Sequence, residues 1–295
     1  MHRVLCLVAA AASTLAAPAG GTARPQLGAA RAGRPAALDL VDHSRLIRLP
    51  GGKRVARPVT TDLWYPARGD GPWPLVVFGH GFGTTPATYR LLLQAWARAG
   101  CLVAAPVFPL TNADAPGGPT ETDLVNQPRD LSFVISQLLA ASADAHGPLH
   151  GLVDPRRVAI AGQSDGAMTA FASAYERRWQ DPRVRAALVL SGAELGGSRQ
   201  PLAVHQPPLL AVQGTADRIN DPANTYLLYA AVHAHKFLLV LHGTGHLAPY
   251  AAPSRALAVV ERVTIAFLDH YLAHAPLAEL RRAAGSAGFA ELTGR

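Results

Sequence analysis

The stretch Val158-Ala159-Ile160-Ala161-Gly162-Gln163-Ser164-Asp165-Gly166-Ala167-Met168 constrains this chain more than any other. A run of small and β-branched apolar residues, the composition of a buried strand, feeds straight into Gly-x-Ser-x-Gly. Ala167, Met168, Ala170, Phe171, Ala174 and Tyr175 then recur at helical spacing. A turn this tight presses backbone against backbone, and glycines at 162 and 166 remove the Cβ atoms that would collide. The turn lifts the Ser164 hydroxyl above the end of the strand and points the start of a helix at whatever that hydroxyl attacks. The bland alternative for Ser164 is a helix cap. A strand before it and a helix after it favour the nucleophile.

The rest of the chain supplies a frame for such a turn. Residues 38–42, 45–49 and 59–65 read as early strands, with a Pro-Gly-Gly turn at 50–52. Residues 75–78, 101–105, 184–190, 209–212 and 237–241 read as buried strands. Helical spacing falls at 88–99, 129–139, 222–233 and 256–271. Antiparallel strands followed by alternating strands and helices predict an α/β fold. We expect a mostly parallel central sheet with antiparallel N-terminal edge strands and helices on both faces. The Pro/Gly/polar segment 111–123 reads as a surface loop beside the active site, and the chain after residue 276 as a tail.

A serine hydroxyl is a weak nucleophile at neutral pH. It needs a base, and the base needs an orienting acid. In chain order after Ser164, Asp217 follows the strand at 209–212 and His246 follows the strand at 237–241. Both stand at the same end of the sheet as Ser164. Asp221 is the rival acid, but it precedes Pro222 and suits a helix N-cap. His242 is the rival base, but it sits at a strand end rather than in a Gly-flanked loop. Attack on a carbonyl also requires donors for the oxyanion. The N–H of Asp165 is one, and the Gly-rich loop after the strand at 75–78 offers Phe82 as the other. His80 in that loop, and Glu194 after the strand at 184–190, are placed at the substrate pocket. His233, His235, His242 and His246 lie close in sequence, yet no helix face or matching Cys/Glu set makes them a metal site. No metal and no cofactor is expected.

The net charge of +7 excludes little by itself. It comes from arginines scattered along the chain, with Lys53 and Lys236 the only lysines, and no aromatic-interleaved basic stripe marks a nucleic-acid surface. Residues 1–23 read as a secretory signal peptide: Arg3, an apolar run at 4–17 too short to span a bilayer, then small residues. Residues 24–36 read as a flexible lead-in, 37–275 as one catalytic domain and 276–295 as a C-terminal tail. Cys6 lies in the leader, so Cys101 is left without an internal disulfide partner. These features predict a secreted monomer without an integral membrane span.

Gly162-Gln163-Ser164-Asp165-Gly166, His80-Gly81-Phe82-Gly83, Gly214-x-x-Asp217-x-Ile219 and Gly245-His246-Leu247-Ala248-Pro249 together resemble the α/β-hydrolase superfamily. The branch they are most similar to is that of dienelactone hydrolases, chlorophyllase-like proteins and bacterial cutinases (polyesterases). The resemblance spans residues 40–272. It implies an α/β-hydrolase fold and a serine esterase working through an acyl-enzyme on a small-molecule or polymeric ester. It further implies Ser164, Asp217 and His246 as triad, with Phe82 and Asp165 as backbone oxyanion donors. Polyester-degrading cutinases of that branch carry Met after the nucleophile, Trp in the next loop and a C-terminal disulfide. Here Asp165 and Ser191-Gly192-Ala193-Glu194 stand at the first two places, and no disulfide can form. Carboxylates at 165 and 194 would disfavour anionic acids. An amide or peptide hydrolase with the same three residues, or a secreted binding protein on the same scaffold, are the competing readings.

Overall fold

A computed structural model describes residues 36–67, 69–193, 201–285 and 288–294. The leader and nearly all of the lead-in lie outside the described residues, as does Glu194. The first strands are β1 (Ala36–Leu38), a hairpin of β2 (Val41–Arg48) and β3 (Arg54–Pro58), and β4 (Thr61–Trp64). Next come β5 (Trp73–Gly79), α1 (Arg90–Arg98), β6 (Leu102–Pro106), α2 (Gln127–Ala143), β7 (Val153–Gln163) and α3 (Asp165–Tyr175). The remainder holds β8 (Val184–Leu190), β9 (Leu209–Gly214), α4 (Pro222–Ala231), β10 (Lys236–Leu241) and α5 (Ala248–Ala251). It ends with α6 (Arg255–Ala273), α7 (Leu277–Ala283) and β11 (Ala290–Gly294).

Nine strands form one sheet in the order β1-β4-β6-β5-β7-β8-β9-β10-β11. From β6 to β10 every pairing is parallel; β4 runs against β6, β1 against β4, and β11 against β10. The expected α/β-hydrolase-type sheet with antiparallel edges is therefore present. Side-chain alternation explains the continuous apolar runs. Val76, Phe78, Ala159 and Ala161 pack with Trp96 of α1 and Val260 of α6. Leu75, Val77, Val158 and Ile160 pack with Ile135 of α2 and Met168 of α3. A strand covered on both faces has no solvent side on which to place polar residues. Each large apolar side chain so buried contributes about 1.5–3 kcal/mol.

Register decides where the site must be. Gly79 pairs with Gly162, Gln163 with Leu190, Leu190 with Val212, and Gly214 with Leu241. The strands from β5 to β10 that surround the elbow thus end level, and their following loops share one end of the sheet, the usual place for ligands in open parallel sheets.

Two departures from the sequence reading have physical causes. The chain after residue 276 is not a loose tail: α7 buries Leu280 against α6, and β11 adds an edge strand with Ala290 on the core. Only five residues with one buried apolar position carry that strand signal. The β2–β3 hairpin forms a separate two-stranded sheet, tied down by charge rather than by apolar pattern. Arg57 of β3 is buried and bonds both carboxylate oxygens of Asp123 (3.0 and 2.7 Å) and of Asp130 (2.7 and 2.6 Å). Arg45 of β2 reaches Asp130 (2.7 Å) and Asp42 (2.6 Å). Among the described residues, no helix is long and apolar enough to cross a membrane.

Candidate active site

Ser164 occupies φ 56°, ψ −123° between β7 and α3, a conformation that non-glycine residues hold only where the surroundings enforce it. The enforcing contacts are backbone ones. A Cβ on Gly162 would run into the carbonyl oxygen of Gly166, and one on Gly166 into the carbonyl of Gly79. The Ser164 N–H donates to Leu190 O (3.0 Å), and its own carbonyl accepts from Ala167 and Met168 N–H (2.9 and 3.2 Å).

Asp217 and His246 are brought together. His246 Nδ1 lies 2.8 Å from Asp217 Oδ2. The other carboxylate oxygen accepts the N–H groups of Ile219 and Asn220, both at 3.0 Å, while Gln213 Nε2 donates to Oδ2 at 3.3 Å. Burial pushes the Asp217 carboxyl up, but the His246 hydrogen bond and the Asn220 and Ile219 amides outweigh it, so the group is held below the usual carboxylate range. Asp221 instead caps α4 through Ala223 N–H (2.9 Å), and His242 faces Glu291 of β11 at 4.0 Å.

Ser164 Oγ accepts from Asn220 Nδ2 at 3.4 Å. Among the described residues no hydrogen bond joins Ser164 Oγ to His246. The His246 Nε2 atom faces Gln163 Nε2 at 3.2 Å, and the same amide nitrogen donates to His246 O at 3.2 Å. Behind it, Tyr89 Oη donates to Gln163 Oε1 (2.7 Å) and accepts from Gly81 N–H (3.1 Å).

The loop after β5 passes beside this group. Phe82 is among the exposed large apolar side chains, so its ring is not a core residue. Neither the Phe82 N–H nor the Asp165 N–H is taken by an acceptor among the described residues. The segment 111–126 covers the loop from outside: Gly83 N–H donates to Thr111 O (2.8 Å) and Ala113 N–H to Thr84 O (3.2 Å). Gln127 then joins Thr111 Oγ1 (2.8 Å) to Thr169 Oγ1 of α3 (2.6 Å).

His80 requires a correction. It does not line a pocket. It is fully buried, its Nε2 accepts Phe108 N–H at 3.0 Å, and its Nδ1–H donates to Gly81 O at 2.8 Å. Both ring nitrogens are consumed in joining the loop after β5 to the end of β6. Burial, only partly opposed by the Gly81 carbonyl, pulls its pKa down to about 4.

Asp165 is 8% exposed and its Oδ2 has no hydrogen-bond partner among the described residues. Burial, reinforced by the Glu121 charge and offset by His246, pushes this carboxyl up to about 6. The sequence reading passed over Glu121, as it passed over Gln163, Tyr89, Gln213 and Asn220. A legible signal existed for the two glutamines. Each lies at the carboxyl end of a buried apolar strand, and a polar group there is costly without a partner.

A mostly parallel sheet with a strained serine between a central strand and its following helix, and with an Asp–His pair in later loops, is the architecture of the α/β-hydrolase type. The chlorophyllase family model matches residues 52–210, and the chain belongs to that family. No curated protein is similar enough to match the chain.

Proposed function

We propose that the protein is a serine esterase in which Ser164, His246 and Asp217 act as a triad. His246 Nε2 takes the Ser164 proton as Oγ attacks the ester carbonyl. The tetrahedral oxyanion is held by the N–H groups of Phe82 and Asp165. The imidazolium, balanced by Asp217, returns the proton to the departing alcohol, leaving an acyl-Ser164 ester. Water, deprotonated by His246, attacks that ester; the second tetrahedral oxyanion collapses with cleavage of the bond to Oγ, His246 returns the proton to Ser164, and the carboxylic acid leaves. The reading is carried by one observation: the 2.8 Å bond from His246 Nδ1 to an Asp217 carboxylate that three further donors orient.

We extend the proposal to substrate charge and to location. An ionised Asp165 beside the oxyanion donors, with Glu121 near it, favours neutral or cationic esters over anionic ones. Discrimination grows as pH rises through about 6. The apolar run near the N-terminus supports export. The test is hydrolysis of p-nitrophenyl esters from acetate to palmitate by wild type and Ser164→Ala. Full turnover in the folded Ser164→Ala protein refutes the mechanism, and labelling by a fluorophosphonate without ester turnover moves it to another acyl bond.

A further inference from the structure

Hydrogen bonding around His246 has a fixed direction. Gly81 N–H points at Tyr89 Oη, and of the two acceptors within reach of the tyrosine proton Gln163 Oε1 at 2.7 Å is much nearer than Thr84 Oγ1 at 3.3 Å, so the proton goes to Gln163 Oε1. With its carbonyl so occupied, the Gln163 amide must present N–H toward His246, and it does so twice, to the ring Nε2 and to the backbone carbonyl. An N–H facing Nε2 demands a lone pair there. The ring proton therefore sits on Nδ1, against Asp217. Neutral imidazole has one such lone pair, and it is the one that must accept the Ser164 proton.

We propose that Gln163 is a positioning residue, which holds His246 as the neutral Nδ1–H tautomer between turnovers and hands its Nε2 lone pair to Ser164 when substrate binds. The inference rests on the serine-esterase reading. It explains why a buried polar side chain stands between Gly162 and Ser164, and why Tyr89, completely buried, ends on a hydroxyl rather than a ring edge. Gly81 joins the same assembly: a Cβ there would lie 3.0 Å from both Gln163 Oε1 and Tyr89 Oη. Once His246 gains a proton, its new Nε2–H meets the Gln163 N–H donor. That repulsion drives the imidazolium proton away from Gln163 and toward the alcohol oxygen.

The replacement Gln163→Glu changes the sign of this contact at constant shape. A carboxylate at Nε2 stabilises the imidazolium, so the acid limb of kcat/KM should move upward by about one pH unit or more. The ionisable groups around His246 are Asp217 in the loop after β9, Asp165 at the start of α3 and Tyr89 behind Gln163; both replacements at 163 retain all three. Gln163→Leu removes the donor without adding charge. It should move the limb the same way by less, with lower plateau kcat and unchanged KM. Tyr89→Phe, which frees the amide to turn over, should also raise the limb and serves if neither replacement at 163 folds. The measurement is the pH profile of kcat/KM on p-nitrophenyl butyrate with the full chain, Ser164→Ala being the control. Acid limbs coincident with wild type in every folded variant overturn the Gln163 inference while leaving an inactive Ser164→Ala protein to sustain the esterase reading. A fully active Ser164→Ala protein overturns both.

Discussion

Replacing Asp165 by Asn should stabilise the protein at alkaline pH and do so far less in acid. The native carboxyl titrates at about 6 because burial and the Glu121 charge oppose its ionisation. In the unfolded chain an aspartate titrates near its ordinary value of about 3.9. The folded pKa is the higher one, so the group's contribution to stability is intact below about pH 4 and is lost as pH rises through about 6. A separation of about two pH units corresponds to a penalty of about 3 kcal/mol at pH 8 and about 1 kcal/mol at pH 4.5. Asparagine never ionises and escapes both. Urea unfolding of wild type and Asp165→Asn at the two pH values should therefore give an advantage for the variant larger by about 2 kcal/mol at pH 8. Using the difference between proteins cancels every other titrating group. The backbone N–H survives the substitution, so turnover of a neutral ester should persist. On an anionic ester the variant should be faster by about tenfold, a change of about 1.4 kcal/mol in the barrier. Equal stability differences at both pH values, or a variant less stable than wild type at pH 8, would refute the account of Asp165 as a buried carboxylate ionised under strain.

Other consequences follow from the same structure. The His80 pKa of about 4 lies below the unfolded value of about 6.5, so its contribution is complete above the unfolded value and is lost as pH falls toward the folded one. Wild type should lose about 2 kcal/mol more than His80→Asn between pH 8 and pH 5, read from urea midpoints; parallel losses would count against it. Arg57→Met leaves Asp123 without a guanidinium and Asp130 with Arg45 alone, and should cost about 3–5 kcal/mol in chemical denaturation, with an unaltered midpoint the contrary result. Gly166→Ala must displace the Gly79 carbonyl, and should yield protein that is insoluble or unreactive toward fluorophosphonate; full labelling would show that the elbow can relax.

How much of this was legible beforehand follows from where the physics is local. The elbow was readable because a strand-to-helix reversal needs two glycines at fixed spacing, and the same glycines collide with Gly166 and Gly79 backbone when given a Cβ. The parallel sheet was readable because strands buried on both faces are apolar without alternation. His80 shows the limit: sequence put it in the right loop, but a histidine in a loop reads alike whether its nitrogens face substrate or, as here, Phe108 and Gly81. The Arg57 cluster was hidden for a related reason: Asp123 lies in a segment with no apolar period to place it, and the period that places Asp130 on a helix says nothing of which charged group from a strand will meet it. Gln163 lies between these cases. Its position was fixed by the motif, while its role depends on Tyr89 and His246, contributed by two distant loops. A motif therefore specifies which backbone must bend, and the protons it can move are decided by side chains that reach it from elsewhere.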